Sequence, residues 1–325
     1  MASLRRILVR LIELVLTVLV IATINFMLVH AAPGDPAAVM AGQSGATDER
    51  FLNQVRAEYG LDKPYIVQLG TYLNKVIHLD LGYSFRQRRD VSGLILERLG
   101  PTLLLTLSAL VVSVLGGILF GAVAGLRNGR WSDTLISMVA LLFYATPVFW
   151  LGLMLVLVFS IQLEWLPAFG YASIRAATFT TWEYIVDVAQ HLVLPVVSLA
   201  AIYMAVYTRL MRASIIEVSH EDHVKTARAK GLTEGRILRK HMLRNAAIPV
   251  VTFAGLQAGA MIGGAVVVET VFSWPGLGRL TFEAVTQRDY PILLGLFLVM
   301  SVLVIAVNFL TDIICGLIDP RIAAR

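Results

Sequence analysis

The sequence predicts an all-α polytopic membrane protein with about six transmembrane helices. Three observations carry that prediction. The chain is 57% hydrophobic and only 15% charged, where a soluble domain carries about 25% charged residues. Six long stretches lack Asp, Glu, Lys and Arg, at 14–34, 102–126, 134–163, 192–208, 245–268 and 290–311, and each can cross a hydrocarbon core of roughly 30 Å as a helix. The cations also separate by side: segments 1–10, 127–133, 209–247 and 317–325 hold 16 Lys/Arg in 65 residues, whereas 31–101, 162–190 and 271–290 hold 11 in 120. The positive-inside rule places the first set, and with it both termini, in the cytoplasm.

Composition excludes other classes. A pI near 9.4 would suggest nucleic acid as the partner of a soluble protein. Here the cytoplasmic loops account for it, and no aromatic-basic patch is left over, so no nucleic-acid partner is expected. The single cysteine, Cys315, rules out a disulfide framework within one chain. The sequence has no Gly-x-x-x-x-Gly-Lys-[Ser/Thr] loop, no His-Glu-x-x-His and no Gly-x-Ser-x-Gly, so no catalytic site is expected.

The elements follow in order. Residues 1–30 form a cytoplasmic N-terminus and first span. Arg5, Arg6 and Arg10 before an apolar run imitate a signal peptide. However, the 21 uncharged residues of 14–34 exceed a usual signal core, so the span is expected to stay. Segment 31–101 is extracytoplasmic, with amphipathic helices expected over 47–59 and 64–77. In the second, Tyr65, Leu69, Tyr72 and Val76 recur at helical spacing. Residues 102–316 form a five-helix core, and 317–325 a cytoplasmic tail. Span 192–208 is short and is expected to gain reach by snorkelling of Arg209. Gly116, Gly117, Gly121 and Gly125 suit close helix approach, as does a stripe of Gly255, Gly259, Gly263 and Gly264.

The core is interrupted at 209–247 by a basic hairpin with nine Lys/Arg against four acids. Ser219 and Asp222 have capping-box spacing. Val224 to Lys230 are good helix formers, and Gly231 fits the left-handed position that ends a helix. Thr233 can cap a second helix, from Glu234 to about Asn245. Cations in such a loop are also explained by topology and anionic lipid. His220 and His223 are read as solvated caps rather than metal ligands.

The residues add a resemblance. Thr226-Ala227-Arg228-Ala229-Lys230-Gly231-Leu232, then His241-Met242-Leu243-Arg244-Asn245-Ala246 and Pro249, resemble the cytoplasmic loop of bacterial ABC importer permeases, most of all the dipeptide/oligopeptide/nickel branch. Gly231 and Ala227 match the general family pattern. Lys225 and Thr226 stand where that pattern has Glu and its first Ala, a departure typical of the peptide branch. Pro33-Gly34-Asp35-Pro36, Gly60-Leu61-Asp62-Lys63-Pro64 and Leu79-Asp80-Leu81-Gly82-Tyr83-Ser84 are similar to the N-terminal region of the same branch. So is Val268-Glu269-Thr270-Val271-Phe272-Ser273-Trp274-Pro275-Gly276-Leu277-Gly278-Arg279.

The resemblance implies a type I ABC importer transmembrane fold. It implies that Glu221, Asp222, Lys225, Thr226, Ala227, Arg228, Ala229, Lys230, Gly231 and Leu232 couple to an ATPase. Glu269, Trp274 and Arg279 become candidates for the translocation path or outer gate. A burial tie, with Arg279 as a partner, is the plainer reading of Glu269. The implied partners are a second homologous permease subunit, two ABC ATPase subunits, an extracytoplasmic substrate-binding protein and membrane lipid. ATP and Mg would bind the ATPases, with no cofactor in this chain. The expected site is the bacterial inner membrane, and the expected cargo di- or oligopeptides. The alternatives are nickel or a metal chelate, and, in another class, an ion-gradient-driven transporter.

Overall fold

The computed structural model describes residues 16–27, 53, 56–57, 62–78, 80–84 and 86–318, with side chains through 311. Helix α1 covers Leu16–Met27 and α2 Tyr65–Ile77. A short antiparallel pair follows, β1 (Tyr83–Ser84) and β2 (Arg89–Asp90). Then come α3 (Val91–Leu126), α4 (Trp131–Ala145) and α5 (Val148–Leu155), which continues as a π-helical turn over Val156–Gln162. Helix α6 is Thr181–Ser219, α7 Asp222–Ala229 and α8 Glu234–Ile237. A π-turn, Leu238–Met242, joins α8 to α9 (Leu243–Val271). Helices α10 (Leu277–Gln287) and α11 (Tyr290–Ile318) complete the order. Most of the expected helix at 47–59 and the tail beyond 318 lie outside the described residues, as do parts of the 14–34 span.

Among the described residues four helices are long and apolar enough to cross a membrane: α3, α6, the column Glu234–Val271, and α11 through Thr311. Helices α4 and α5 with its π-helical turn, bent by 108° at their junction, are together long and apolar enough for one broken span or a re-entrant loop. The sequence reading had 134–163 as one unbroken span. Pro147 breaks it: it lacks an N–H and forces Thr146 out of the helical region, to φ −83°, ψ 127°. Helix α6 also runs far beyond 192–208. Its 39 residues reach about 58 Å, nearly twice the apolar thickness. Thr180 starts it with a capping box: its hydroxyl accepts from Glu183 N–H while the Glu183 carboxylate accepts from Thr180 N–H.

The chain divides into two compact units, Met1–Gly100 with Arg279–Ile305, and Pro101–Gly278 with Ala306–Arg325. In the first, Ala22, Val76 and Leu298 form a small buried cluster. Phe26 and Tyr72 stack at 5.9 Å between ring centres. Asp289 is buried; it receives Ser84 Oγ at 2.5 Å and the Ile292 N–H at 3.4 Å, so it caps α11 and ties β1 to it.

The second unit is organised around α6. One apolar cluster unites Leu105, Val156, Leu194, Leu199, Met261, Val268, Phe272 and Trp274. Another unites Tyr207, Met211, Ile215, Val224, Ala227, Ile237, Met242, Ala246 and Val250. Glycines let α3 approach α6. A Cβ on Gly117 would lie 2.4 Å from Tyr207 Cβ, on Gly121 2.5 Å from Met211 Cβ, and on Gly125 2.8 Å from Ile215 Cβ. Dispersion at that short range replaces the hydrophobic drive that lipid removes. The second glycine stripe is less uniform than its spacing suggests. A Cβ on Gly255 would meet Thr311 Cγ2 at 2.0 Å, whereas Gly263 faces open space.

Gly121→Leu should force the two helices apart. The expected loss is about 1–3 kcal/mol or more, read as a lower melting temperature in detergent. Gly93→Ala, with nothing within 4 Å of the added carbon, should be neutral or mildly stabilising.

Candidate coupling hairpin and buried carboxylate site

The hairpin is built on local backbone chemistry. Helix α6 continues to Ser219 and closes through the His220 N–H to the Glu217 carbonyl at 3.0 Å and the Glu221 N–H to the Val218 carbonyl at 3.1 Å. The capping box expected from Ser219 and Asp222 is absent. Ser219 still belongs to α6 and donates back to the Ile216 carbonyl at 2.7 Å, so Glu221 occupies the cap position of α7. Asp222 and Glu221 nonetheless stand at the positive end of α7, where acids are favoured.

The C-terminal end of α7 forms as expected. Gly231 has φ +75°. Its N–H donates to the Arg228 carbonyl at 2.9 Å, and Leu232 N–H reaches the Ala227 carbonyl at 3.3 Å. That pair of bonds is a Schellman motif, which closes the helix on a left-handed residue. Thr233 then stands at the cap of α8 without a side-chain cap bond. The second helix does not stop near Asn245. It passes through the π-turn into α9, so the hairpin's second arm and a membrane span are one column, Glu234–Val271.

The two faces of α7 differ. Val224 and Ala227 are 0% and 4% exposed and pack among Met211, Ile215, Ile237 and Met242. Ala227 therefore points into this chain's own core, against its expected place on an outward contact surface. Spacing alone did not reveal this, although Val224 and Ala227 are three apart and share a helix face. The outward face carries Asp222, Lys225, Thr226, Ala229, Lys230 and Gly231, while Leu232 is half-buried beside the core. Lys225 Nζ donates to Asp222 at 3.0 Å, and Arg228 Nε to Glu234 at 2.9 Å, closing α7 onto α8. The bond from Arg228 to Glu234 raises the guanidinium pKa further above its ordinary value. Both pairs are exposed, so each adds little to stability.

His223 joins the same two arms. Its Nδ1 lies 3.0 Å from Glu221 Oε2, and its Nε2 3.3 Å from both the His241 carbonyl and Asn245 Nδ2. The sequence reading of His223 as a solvated cap missed this bridge. Its partners lie 18 and 22 residues ahead, beyond any local pattern. His220 turns back to the Ile216 carbonyl at 2.8 Å. Among the described residues no group of three His, Cys, Asp or Glu side chains is placed to hold a metal. At the root of the hairpin, Arg212 grips Asp133 with Nε–Oδ1 at 2.5 Å and a second bond at 2.8 Å. That bidentate tie fixes α4 to α6.

At the other end of the column, Glu269 and Trp274 are both 0% exposed. Glu269 Oε1 accepts from Thr102 Oγ1 at 2.7 Å, and Thr102 Oγ1 accepts from Leu277 N–H at 2.8 Å. Trp274 Nε1 donates to the Pro101 carbonyl at 2.9 Å, and its ring packs on Tyr171 at 4.8 Å. Burial pushes the Tyr171 phenol above its ordinary pKa. Arg279 donates to Glu283 at 2.9 Å within α10. Sequence reading singled out Glu269 but had no means to find Thr102, 167 residues away.

The φ of Gly231 yields a direct expectation. Space around it is open, so only the backbone conformation resists substitution. Gly231→Val should cost about 1–2 kcal/mol, loosening the end of α7. Amide exchange at residues 228–232 should quicken several-fold. Gly231→Asn, which tolerates the left-handed region, should be milder. Equal exchange in both variants and the parent would contradict the strained-turn account.

The chain matches two family profiles. One is described as binding-protein-dependent transport system inner membrane component, over residues 117–324. The other is the N-terminal membrane component of the same systems, over 3–106. The chain is 40% identical to the glutathione transport system permease protein GsiC of Escherichia coli over 313 residues, 96% of this chain and 97% of that one. The corresponding protein of Salmonella paratyphi A is 41% identical over the same shares. Among solved structures, the inward-facing MetNI methionine ABC transporter aligns at TM-score 0.52 and 17% identity, covering 70% of this chain and 96% of that one. That likeness concerns the fold alone. With a profile matched over most of its length and relatives at this identity, the chain belongs to the binding-protein-dependent transport system inner membrane components, the permease subunits of ABC importers.

Proposed function

We propose that this chain, with a second homologous permease subunit, forms the translocation path of an ATP-driven importer for short peptides. Both termini and the 209–247 hairpin face the cytoplasm of the bacterial inner membrane, and 31–101 faces outward, where a substrate-binding protein delivers cargo. Two ABC ATPase subunits bind ATP and Mg, and this chain carries no cofactor and performs no hydrolysis. The cargo class rests on the relatives named for glutathione transport. Glutathione is a tripeptide, so a peptide-sized path covers both it and the di- or oligopeptides expected from the sequence. Nickel has no comparable support, and membership of the family sets aside an ion-gradient-driven carrier.

The observation that carries the reading is the two-faced α7. Its inner face is locked in the transmembrane core through Val224 and Ala227, and its outer face offers Asp222, Lys225, Thr226, Ala229 and Lys230. An ATPase seated on that outer face moves α7, and a close-packed interior of low compressibility passes the displacement to α6 and α9. Glu269, Trp274 and Arg279 belong to the outer end of the path or its gate, where they hold helices in place rather than contact cargo.

The test is uptake by the complete complex in proteoliposomes with its binding protein. Labelled glutathione should accumulate only with ATP inside the ATPase compartment, and unlabelled tripeptides should compete while nickel salts should not. Competition by nickel alone would move the chain to the metal branch. Uptake driven by a proton gradient without ATP would overturn the importer mechanism.

A further inference from the structure

The buried carboxylate at the outer end of α9 sits in an unusually constrained seat. Glu269 is fully buried. A Cβ on Gly276 would lie 2.2 Å from its carboxyl, and one on Gly278 2.9 Å from Oε2, so the backbone entering α10 closes directly over it. A hydrogen-bond relay runs beneath. Leu277 N–H donates to Thr102 Oγ1 at 2.8 Å, and the Thr102 hydroxyl, its one proton committed, donates to Glu269 Oε1 at 2.7 Å. Thr102 is itself 0% exposed. One hydroxyl thus links three elements: α3 through its own backbone, α9 through the carboxylate, and the first turn of α10 through the amide. Trp274 reinforces the joint by donating to the Pro101 carbonyl, next to Thr102.

The position of this joint matters because of what lies at the far end of α9. The column Glu234–Val271 begins in the hairpin and ends two residues beyond Glu269. We infer that Thr102 is a positioning residue for transport: its hydroxyl clasps the outer end of the α9 column to α3, so that displacement of the hairpin reaches the outer face as joint movement of these helices. Without the clasp the column still moves at its cytoplasmic end, but its outer end slips against α3. Hydrolysis then proceeds while cargo fails to follow. The inference rests on the importer reading above and adds a residue to it.

The test uses the complete complex with its binding protein in proteoliposomes, measuring ATP hydrolysis and glutathione uptake together. Thr102→Val keeps the shape and removes the relay, taking the Thr102 hydroxyl bond away from a buried carboxylate. Uptake per ATP hydrolysed should fall about tenfold, with subunit co-purification retained. Thr102→Ser restores the hydroxyl and should recover at least about half of the coupling. Spin labels at Leu104 on α3 and Val267 on α9, both side chains exposed, give a second readout. Their separation should be the same with and without trapped ATP in the parent, and should broaden or shift in Thr102→Val. Wild-type coupling in Thr102→Val overturns the inference, as does equal loss in the Val and Ser variants, which marks mere packing. Should Thr102→Val fail to assemble, Thr102→Cys takes its place: its weak S–H donor should give intermediate coupling, and coupling equal to the parent overturns the inference. Failure of the parent complex to take up glutathione counts against the importer reading instead, and is recognised before any variant is compared.

Discussion

The burial of Val224 and Ala227 against α6 and α9 is the constraint on which the hairpin end of this protein depends. An eight-residue helix of mean polarity has no stability of its own in water. Helix α7 exists because two apolar side chains three residues apart insert among Met211, Ile215, Ile237 and Met242, and because Gly231 ends it with paired backbone bonds. The polar remainder is then left facing outward in one fixed orientation. A charged loop attached by flexible ends would serve topology equally well, but it could not transmit a displacement.

The long helices add a second solution to the same problem. In lipid, apolar side chains gain little by exchanging lipid contacts for protein ones, so helices are held by close approach and by buried polar bonds. Glycines at 117, 121 and 125 supply the first between α3 and α6. Glu269, Thr102 and the Leu277 amide supply the second between α3, α9 and the start of α10. Arg212 with Asp133 repeats the device at the root of the hairpin, where partial exposure makes it cheaper to maintain.

Much of this was legible in the sequence, and the misses have physical reasons. Apolar blocks and cation densities locate spans, because hydrocarbon tolerates neither charge nor unpaired backbone. They do not locate helix ends: α3 begins at Val91 and α6 reaches Ser219, since water tolerates helix as well as loop. Pro147 was visible, yet its effect depends on whether neighbouring helices accommodate a bend. Gly231 was readable because a left-handed turn has a narrow residue preference. The burial of Ala227 was not, because a small apolar residue suits an interface with a partner as well as one's own core. Thr102 was silent for a simpler reason: a hydroxyl in an apolar helix ordinarily bonds its own backbone, and only the fold brings it to Glu269.

The central claim is that α7 turns one face into this chain and the other toward an ATPase. It is tested most directly by photo-crosslinking in the purified complex. Cys315 is replaced by Ser, and single cysteines at Ala229 and Val224 carry a benzophenone maleimide. Ala229 is exposed and Val224 fully buried. The account predicts an adduct between the Ala229 site and an ATPase subunit, and no labelling at Val224 until the protein is unfolded. Labelling at both sites in the native complex, or adducts from Ala229 that never include an ATPase subunit, would contradict it.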